Sequence, residues 1–343
     1  MNHKFISLIG AAALAIGFAP HSDACTGMEL KTKNGEVVMA RTIEWSGSDM
    51  NTFYVVVPKA YTPDTKYAFT GVAVELPQYI MEGVNEKGLS AGLFYFPDYG
   101  KYEEEANGKT SVSDFELVGY ILSRCATIDE VKSTIAGLHI HGIDPRSSTV
   151  HWRFIEESGR QVVLEIIDGK QVFYENTLGV LTNSPSFDYH LTNLNNYVNL
   201  MPGRAGANTI GRLEMTSFSG GTGMLGLPGD FSSPSRFVRV AFLQNTAPVK
   251  ETALETVTQA FHLLNNFDIP IGMQFAKGEE VVDIPSATHI TVASDLSGHK
   301  LYFRTLHNCE IRCIDLNRIN FKKTGYVCKP LDKVKAETIH QIF

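Results

Sequence analysis

Cys25-Thr26-Gly27-Met28-Glu29-Leu30-Lys31-Thr32-Lys33-Asn34-Gly35-Glu36-Val37-Val38-Met39-Ala40-Arg41-Thr42-Ile43-Glu44 reads as a β-hairpin whose first residue is a cysteine. An alternating run to Thr32 meets the turn pair Asn34-Gly35, and an apolar strand follows from Val37 through Ile43. With a two-residue turn Cys25 lies opposite Glu44. With one more loop residue it lies opposite Ile43, with Arg41 two positions along the same face. Both registers bring polar residues toward Cys25. Strand side chains alternate, so Arg41 and Glu44 cannot both face Cys25 from a regular strand, and a bulge or a strand end is required between them.

Upstream, Lys4 precedes a predominantly apolar, charge-free run from Phe5 to Ala19, too short to span a bilayer comfortably and of the kind found in signal-peptide cores. Small residues before Cys25 in Ser22-Asp23-Ala24 suit a signal peptidase. The reading is a signal peptide over 1–24 and one domain over 25–343, exported to the periplasm or the medium, with no stable membrane insertion after processing. Cleavage after Ala24 leaves Cys25 with a free amine. The alternative is a lipid-anchored binding protein acylated at Cys25, but a lipoprotein box carries a Leu-like residue where this chain has Ser22, and the charged Asp23 departs from it further.

The formal net charge of -7 is spread along the 343 residues, with no basic block to neutralise a phosphate backbone, so nucleic acid is excluded as a partner. Five cysteines in an exported chain leave at least one unpaired. Cys125 falls in an expected helix and reads as core. Cys309 and Cys313 are too far apart on a strand to bridge one another, and either could pair with Cys328. No ligand spacing points to zinc, His139 and His141 lack a third partner, and no metal or cofactor is expected. Gly221-Thr222-Gly223-Met224-Leu225-Gly226 matches the dinucleotide pattern letter for letter, yet no apolar strand precedes it and Pro228 follows, so it reads as a loop. Serine-hydrolase elbow, zincin and phosphate-loop signatures are missing from the sequence.

Amide hydrolysis needs a nucleophile, a base and donors for the oxyanion. An N-terminal cysteine supplies the first two together, because an α-amine with a pKa near ~8 is readily made neutral and can take the proton of its own thiol. Arg41 is placed to favour the thiolate.

Beyond the hairpin, strands are expected near Phe53 to Val57 and Gly88 to Phe96. Capping signatures at Ser113 with Glu116 and at Thr127 with Glu130 open helical stretches. A strand meander runs from Ser148 to Thr182. Helices are expected at Asp188 to Leu200, Ser235 to Gln244 and Glu251 to Asn266, with final strands near His289 to Ala293, Lys300 to Thr305 and Cys309 to Leu316. Clusters of strands and helices without a low-complexity linker predict layered sheets and helices in one domain.

Cys25-Thr26-Gly27, Arg41-Thr42-Ile43-Glu44, Val84-Asn85-Glu86-Lys87-Gly88-Leu89, Gly179-Val180-Leu181-Thr182-Asn183-Ser184-Pro185, and Gly226-Leu227-Pro228-Gly229-Asp230 with Ser235-Arg236-Phe237 resemble, in order along the whole mature chain, the choloylglycine hydrolase family. That family contains bile salt hydrolases and penicillin V acylases and belongs to the N-terminal nucleophile hydrolases. The resemblance implies an α+β fold, a four-layer αββα sandwich, and commonly a homotetramer. It assigns Cys25 as nucleophile, Arg41 and Arg236 as the site arginines, Glu44 as the carboxylate where the family usually has Asp, and Asn183 as an oxyanion donor. The Phe94 main-chain N–H is expected as the second donor, and Ile43, Phe94 and Tyr95 as substrate-pocket residues. Phe94-Tyr95-Phe96 departs from the Asn or Tyr usual after Ala91-Gly92-Leu93. The implied activity is cleavage of glycine- or taurine-conjugated bile salts. Penicillin V or an N-acyl homoserine lactone is the rival substrate, and loss of activity through the changes at Glu44 and Phe94 is a third outcome.

Overall fold

The apolar alternation of the strands closes two antiparallel sheets on one another in a computed structural model that describes residues 24–45, 50–143, 149–271, 273 and 287–343. The expected signal peptide lies outside the described residues except for Ala24. The N-terminal half contributes β1 (Cys25–Lys31), β2 (Val37–Trp45), β3 (Thr52–Val57), β4 (Phe69–Val74), β5 (Ile80–Asn85), β6 (Ser90–Tyr95) and β7 (Thr110–Ser113). Helices α1 (Leu117–Leu122) and α2 (Ile128–Ala136) lead to β8 (Leu138–His141), β9 (Val150–Ile155), β10 (Gln161–Ile167) and β11 (Lys170–Glu175). Then come α3 (Phe187–Asn193), the small hairpin β12 (Asn208–Ile210) and β13 (Leu213–Met215), α4 (Ser233–Thr246) and α5 (Ala253–Leu264). Strands β14 (Ala287–Asp295), β15 (Lys300–Thr305), β16 (Arg312–Asp315) and β17 (Val327–Pro330) complete the order.

One sheet runs β1-β2-β14-β15-β16 and the other β11-β10-β9-β6-β5-β4-β3-β17. Side-chain alternation divides the first sheet cleanly. Val37, Met39 and Ile43 turn with Val84 into the core between the sheets, while Leu93 and Trp152 face the helices on the far side of the larger sheet. Met28, Leu30, Val38 and Ala40 face the other way and pack on Phe237 and Val240 of α4 and on Val257 and Phe261 of α5. Each such large apolar side chain contributes about 1.5–3 kcal/mol by leaving water. Helices α1 and α2 cover the outer face of the larger sheet through β5, β6 and β9. The result is the expected αββα order of layers.

Several local expectations shift. Ser113 ends β7 and does not cap a helix: its hydroxyl donates to Glu116 Oε2 at 2.6 Å, and α1 begins at Leu117 with no side-chain cap. Thr127 does cap α2, accepting from the Glu130 N–H, and a full capping box at Thr252 and Glu255 opens α5. The expected helix over Asp188 to Leu200 divides into α3 and a 3-10 turn at Leu194–Tyr197. Strands β4 and β5 carry Gly71 opposite Gly83, and Glu82 stands among apolar neighbours, which interrupts the strand pattern in sequence while burying every residue of both strands. The Gly221–Gly226 segment is a loop with one 3-10 turn, Gly221 and Gly226 holding φ of 85° and 97°. All five cysteines are free thiols, so neither Cys309 nor Cys313 is bonded to Cys328.

Candidate active site

The hairpin turn closes with the Gly35 N–H on the Thr32 carbonyl at 3.0 Å and sets the longer of the two registers, pairing Cys25 with Ile43 and Gly27 with Arg41. The irregularity required by Arg41 and Glu44 is found in the neighbouring strand: β14 slips between Thr288 and Ile290 where it pairs with Glu44 and Ile43. β2 itself keeps its alternation. Arg41 therefore enters the space between the sheets, with its Nη1 donating to the Leu93 carbonyl at 2.5 Å. Glu44 lies on the opposite face, accepting from Thr288 Oγ1 at 2.7 Å in the field of Arg236.

Cys25 is buried at the start of the edge strand β1 and is approached from both faces. Its main-chain nitrogen donates to Asn183 Oδ1 at 2.6 Å. Residue 24 is still attached, so this peptide nitrogen stands in for the α-amine of a chain cut before Cys25. Arg236 reaches over from α4, donating through Nη1 to the Cys25 carbonyl at 2.5 Å and to Thr26 Oγ1 at 2.9 Å, and through Nη2 to Asn183 Oδ1 at 2.8 Å. Burial pushes the Cys25 thiol up, and the positive charge of Arg41 is the largest influence acting against it, joined by the Glu44 main-chain N–H and by Arg236. Burial likewise lifts the Glu44 carboxyl to about 7 against the pull of Arg236.

The start of α4 is fixed before Arg236 is reached. Asp230 accepts from the Ser232 N–H at 2.9 Å and from Ser235 Oγ at 2.6 Å, while Arg239, about one turn on, donates to the Pro228 and Asp230 carbonyls at 2.7 and 3.0 Å. The Gly-Leu-Pro-Gly-Asp loop is thus clamped to the helix that carries Arg236. Asn183 is held as tightly. Its N–H donates to Ser233 Oγ at 2.9 Å, its carbonyl accepts from His190 Nε2 at 2.8 Å, and the preceding Thr182 carbonyl accepts from His151 Nε2 at 3.0 Å. His151 in turn rests its Nδ1 on Glu165 Oε1 at 3.1 Å, and His190 stacks on Phe237 with its imidazole pushed down to about 4 by burial. His151, Glu165, His190 and Ser233 were not legible as site residues. Their signal in sequence is only that polar residues interrupt apolar segments.

The expected role of the Phe94 N–H requires correction. Phe96 donates its N–H to the Thr149 carbonyl at 2.8 Å, and the antiparallel register pairs Phe94 with His151. Hydrogen-bonded pairs recur at every second residue, which turns the Phe94 N–H onto the His151 carbonyl. Odd-numbered residues of β6 face β5, and that pairing ends at Glu82 with Gly92. Past this point the Leu93 carbonyl takes Arg41, and the Tyr95 carbonyl accepts from Asn183 Nδ2 at 2.8 Å. Tyr95, not Phe94, turns its main-chain groups to the side of Asn183. The ring of Phe94 is wholly buried, with Arg41 Cζ 3.7 Å from its centroid, and Ile43 is wholly buried between the sheets. Neither side chain forms an open pocket wall, whereas Tyr95 is half-buried.

Behind Arg41 lie two more buried charges unforeseen in the sequence, Glu82 of β5 and Arg153 of β9. Glu82 Oε2 is 3.6 Å from Arg41 Nη1 and 3.7 Å from Arg153 Nη2.

A sequence model of the linear amide C–N hydrolases, choloylglycine hydrolase family, matches residues 25–329. The chain is 31% identical over 312 residues to a bile salt hydrolase/transferase of Clostridium perfringens, covering 86% of this chain and 93% of that protein. It is 29% identical over 273 residues to a penicillin V acylase of Pectobacterium atrosepticum, covering 73% of this chain and 65% of the relative. The crystal structure of a mutant conjugated bile acid hydrolase from Clostridium perfringens superposes with a TM-score of 0.80 at 29% identity, over 93% of this chain and 100% of that one.

Proposed function

We infer, for a chain that belongs to the choloylglycine hydrolase family of linear amide C–N hydrolases, that it is exported, is cut before Cys25, and hydrolyses glycine- or taurine-conjugated bile salts with the Cys25 thiolate as nucleophile. The observation that carries this reading is the placing of Cys25: its nitrogen rests on Asn183 Oδ1 at 2.6 Å, and its sulfur lies in the fields of Arg41 and Arg236. The match to the family beginning at Cys25 supports the cut. Bile salts are favoured over other amides because the segments around Asp230 and Arg236 resemble that branch, and the bile salt hydrolase/transferase covers more of the chain than the penicillin V acylase does.

In the processed chain the α-amine takes the thiol proton, and the thiolate attacks the amide carbonyl carbon. Asn183 Nδ2 carries two hydrogens and spends one on Tyr95, so the second is a donor for the oxyanion. The ammonium then protonates the leaving nitrogen, and glycine or taurine departs. Water, deprotonated by the amine, cleaves the thioester, releasing the bile acid and restoring the thiol. Glu44 and Arg236 hold the surrounding charge. By family resemblance the enzyme is a homotetramer in solution, which sedimentation analysis reads directly. N-terminal sequencing of the secreted protein, with rates on taurocholate, glycocholate and penicillin V, tests the whole reading. The expected result is a chain starting at Cys25 that prefers a bile salt; a different first residue in active protein, or penicillin V as best substrate, overturns the corresponding part.

A further inference from the structure

Arg41, Glu82 and Arg153 form a charge cluster sealed between the sheets, with one carboxylate for two guanidinium groups. The chain makes room for it twice. Gly92 faces the Glu82 carboxylate where a Cβ would collide with Oε2. Gly27, two residues from Cys25, leaves a gap filled by Arg153 Nη1 and Phe94 Cζ, which a Cβ would meet at 2.6 and 2.9 Å. The Phe94 ring takes Arg41 on its face at 3.7 Å and Arg153 at 5.4 Å. The second oxygen of Glu82 accepts from Ser90 Oγ at 3.0 Å. Burying an uncompensated cation is expensive, so a surplus positive charge kept beside a buried thiol calls for a use.

We propose that Arg153 is a positioning residue for the reaction: by sharing Glu82 with Arg41 it prevents Arg41 from being neutralised, and so leaves a positive charge for the sulfur of Cys25. This rests on Cys25 being the nucleophile. The charged groups acting on the sulfur are Arg41 and Glu44 of β2 and Arg236 of α4. Those acting on Arg153 are Glu82 of β5, Arg41 of β2 and Glu29 of β1, and those acting on Glu82 are Arg153 and Arg41. Arg236 is itself set among Glu44, Cys25, Arg239 and Asp230. None of the others can stand in for Arg153 against Glu82. Without Arg153, Glu82 and Arg41 become a neutral pair and the thiolate loses its largest opposite charge.

The test is the pH dependence of iodoacetamide alkylation at Cys25, followed by peptide mass so that the other four cysteines are read separately. Arg153→Met is expected to move the midpoint upward by about one pH unit, an alkylation roughly tenfold slower below it. Arg153→Lys keeps the wild-type midpoint. The double variant Glu82→Gln with Arg153→Met leaves Arg41 unopposed and brings the midpoint back to the wild-type value or below. A general packing role predicts no such reversal. An unmoved midpoint in Arg153→Met, or a double variant displaced as far upward as the single one, overturns the proposal. If Arg153→Met does not fold, Glu82→Gln alone is expected to move the midpoint down, and an unchanged midpoint overturns the proposal equally. Turnover of Cys25→Ser on glycocholate separates the two readings: undiminished turnover removes Cys25 as nucleophile, while the alkylation midpoint still reports on Arg153.

Discussion

Asn183 Oδ1 accepts the main-chain nitrogen of Cys25 at 2.6 Å across 158 residues of sequence. The same oxygen accepts Arg236 Nη2, and the amide nitrogen of that side chain reaches Tyr95, so one amide spans Cys25, the helix and β6. Asn183→Ala removes all three contacts and, with them, the oxyanion donor proposed above. The expected effect on glycocholate hydrolysis is a fall in kcat of roughly 10²–10³, as for other lost oxyanion donors, with a smaller change in KM. Steady-state kinetics on the purified variant check this; an unchanged kcat would remove Asn183 from the chemistry.

Glu44 makes stability depend on pH with a definite sign. Burial raises its carboxyl from 4.5 to about 7, so the folded protein binds this proton more tightly than the unfolded chain does. Its contribution is therefore fully present below pH 4.5 and is lost as pH rises through about 7, an effect on the order of 3 kcal/mol at most. Denaturant unfolding between pH 5 and 8 should show this decline in wild type. In Glu44→Gln, which cannot ionise, the decline should be shallower, the remainder coming from groups such as Asp114, whose carboxyl burial lifts to about 6, and an equal slope in both proteins would contradict the assignment.

Gly27 tolerates no side chain. A methyl group there meets Arg153 Nη1 at 2.6 Å and Phe94 Cζ at 2.9 Å in a packed interior. Gly27→Ala is expected to destabilise by about 1–3 kcal/mol, as overpacking does. Urea midpoints of the two proteins measure it. A midpoint equal to wild type would mean that Arg153 has somewhere else to go.

His190 is expected to act on the site through the Asn183 carbonyl. His190→Phe preserves stacking on Phe237 but leaves the carbonyl without the imidazole that donates to it at 2.8 Å. A buried acceptor left unpaired costs about 1–3 kcal/mol. Thermal unfolding should register that loss, and His190→Gln, which retains a donor, should recover part of it. Equal stability of the Phe variant would show that the contact contributes nothing.

The hairpin could be read in advance, and its register narrowed to two choices, because they depend on near neighbours, a turn pair and an alternation; the loop closure at Thr32 and Gly35 decides between the two and with it the facing of Arg41. Glu44 shows the limit of that local reading. Its side chain is consigned to the helix side by β2, and the irregularity that accompanies it belongs to β14, more than 240 residues later, where nothing in the spacing announces it. Asn183 and Arg236 took their roles from family resemblance, since alone they pass for a turn residue and a surface charge. Glu82 and Arg153 were hidden for a different reason. A charged residue in a strand looks like an outward-facing position until both sheets are assembled and the glycines opposite it, Gly92 and Gly27, are found to have been emptied for it. That the Phe94 N–H is spent on β9 likewise needs the ladder, because only the phase of hydrogen bonding tells which amides of β6 turn to that strand.

Arg236 and Cys25 meet although 211 residues separate them along the chain. A polypeptide still emerging from the ribosome thus carries its sulfur long before the helix that flanks it has been made, and any fragment ending short of α4 lacks one of the two cations and the clamp on Asn183. Contacts this remote in sequence carry a loop-closure cost that slows folding. The surroundings of Cys25 therefore cannot be completed before α4 has been made, about two-thirds of the way along the 343-residue chain.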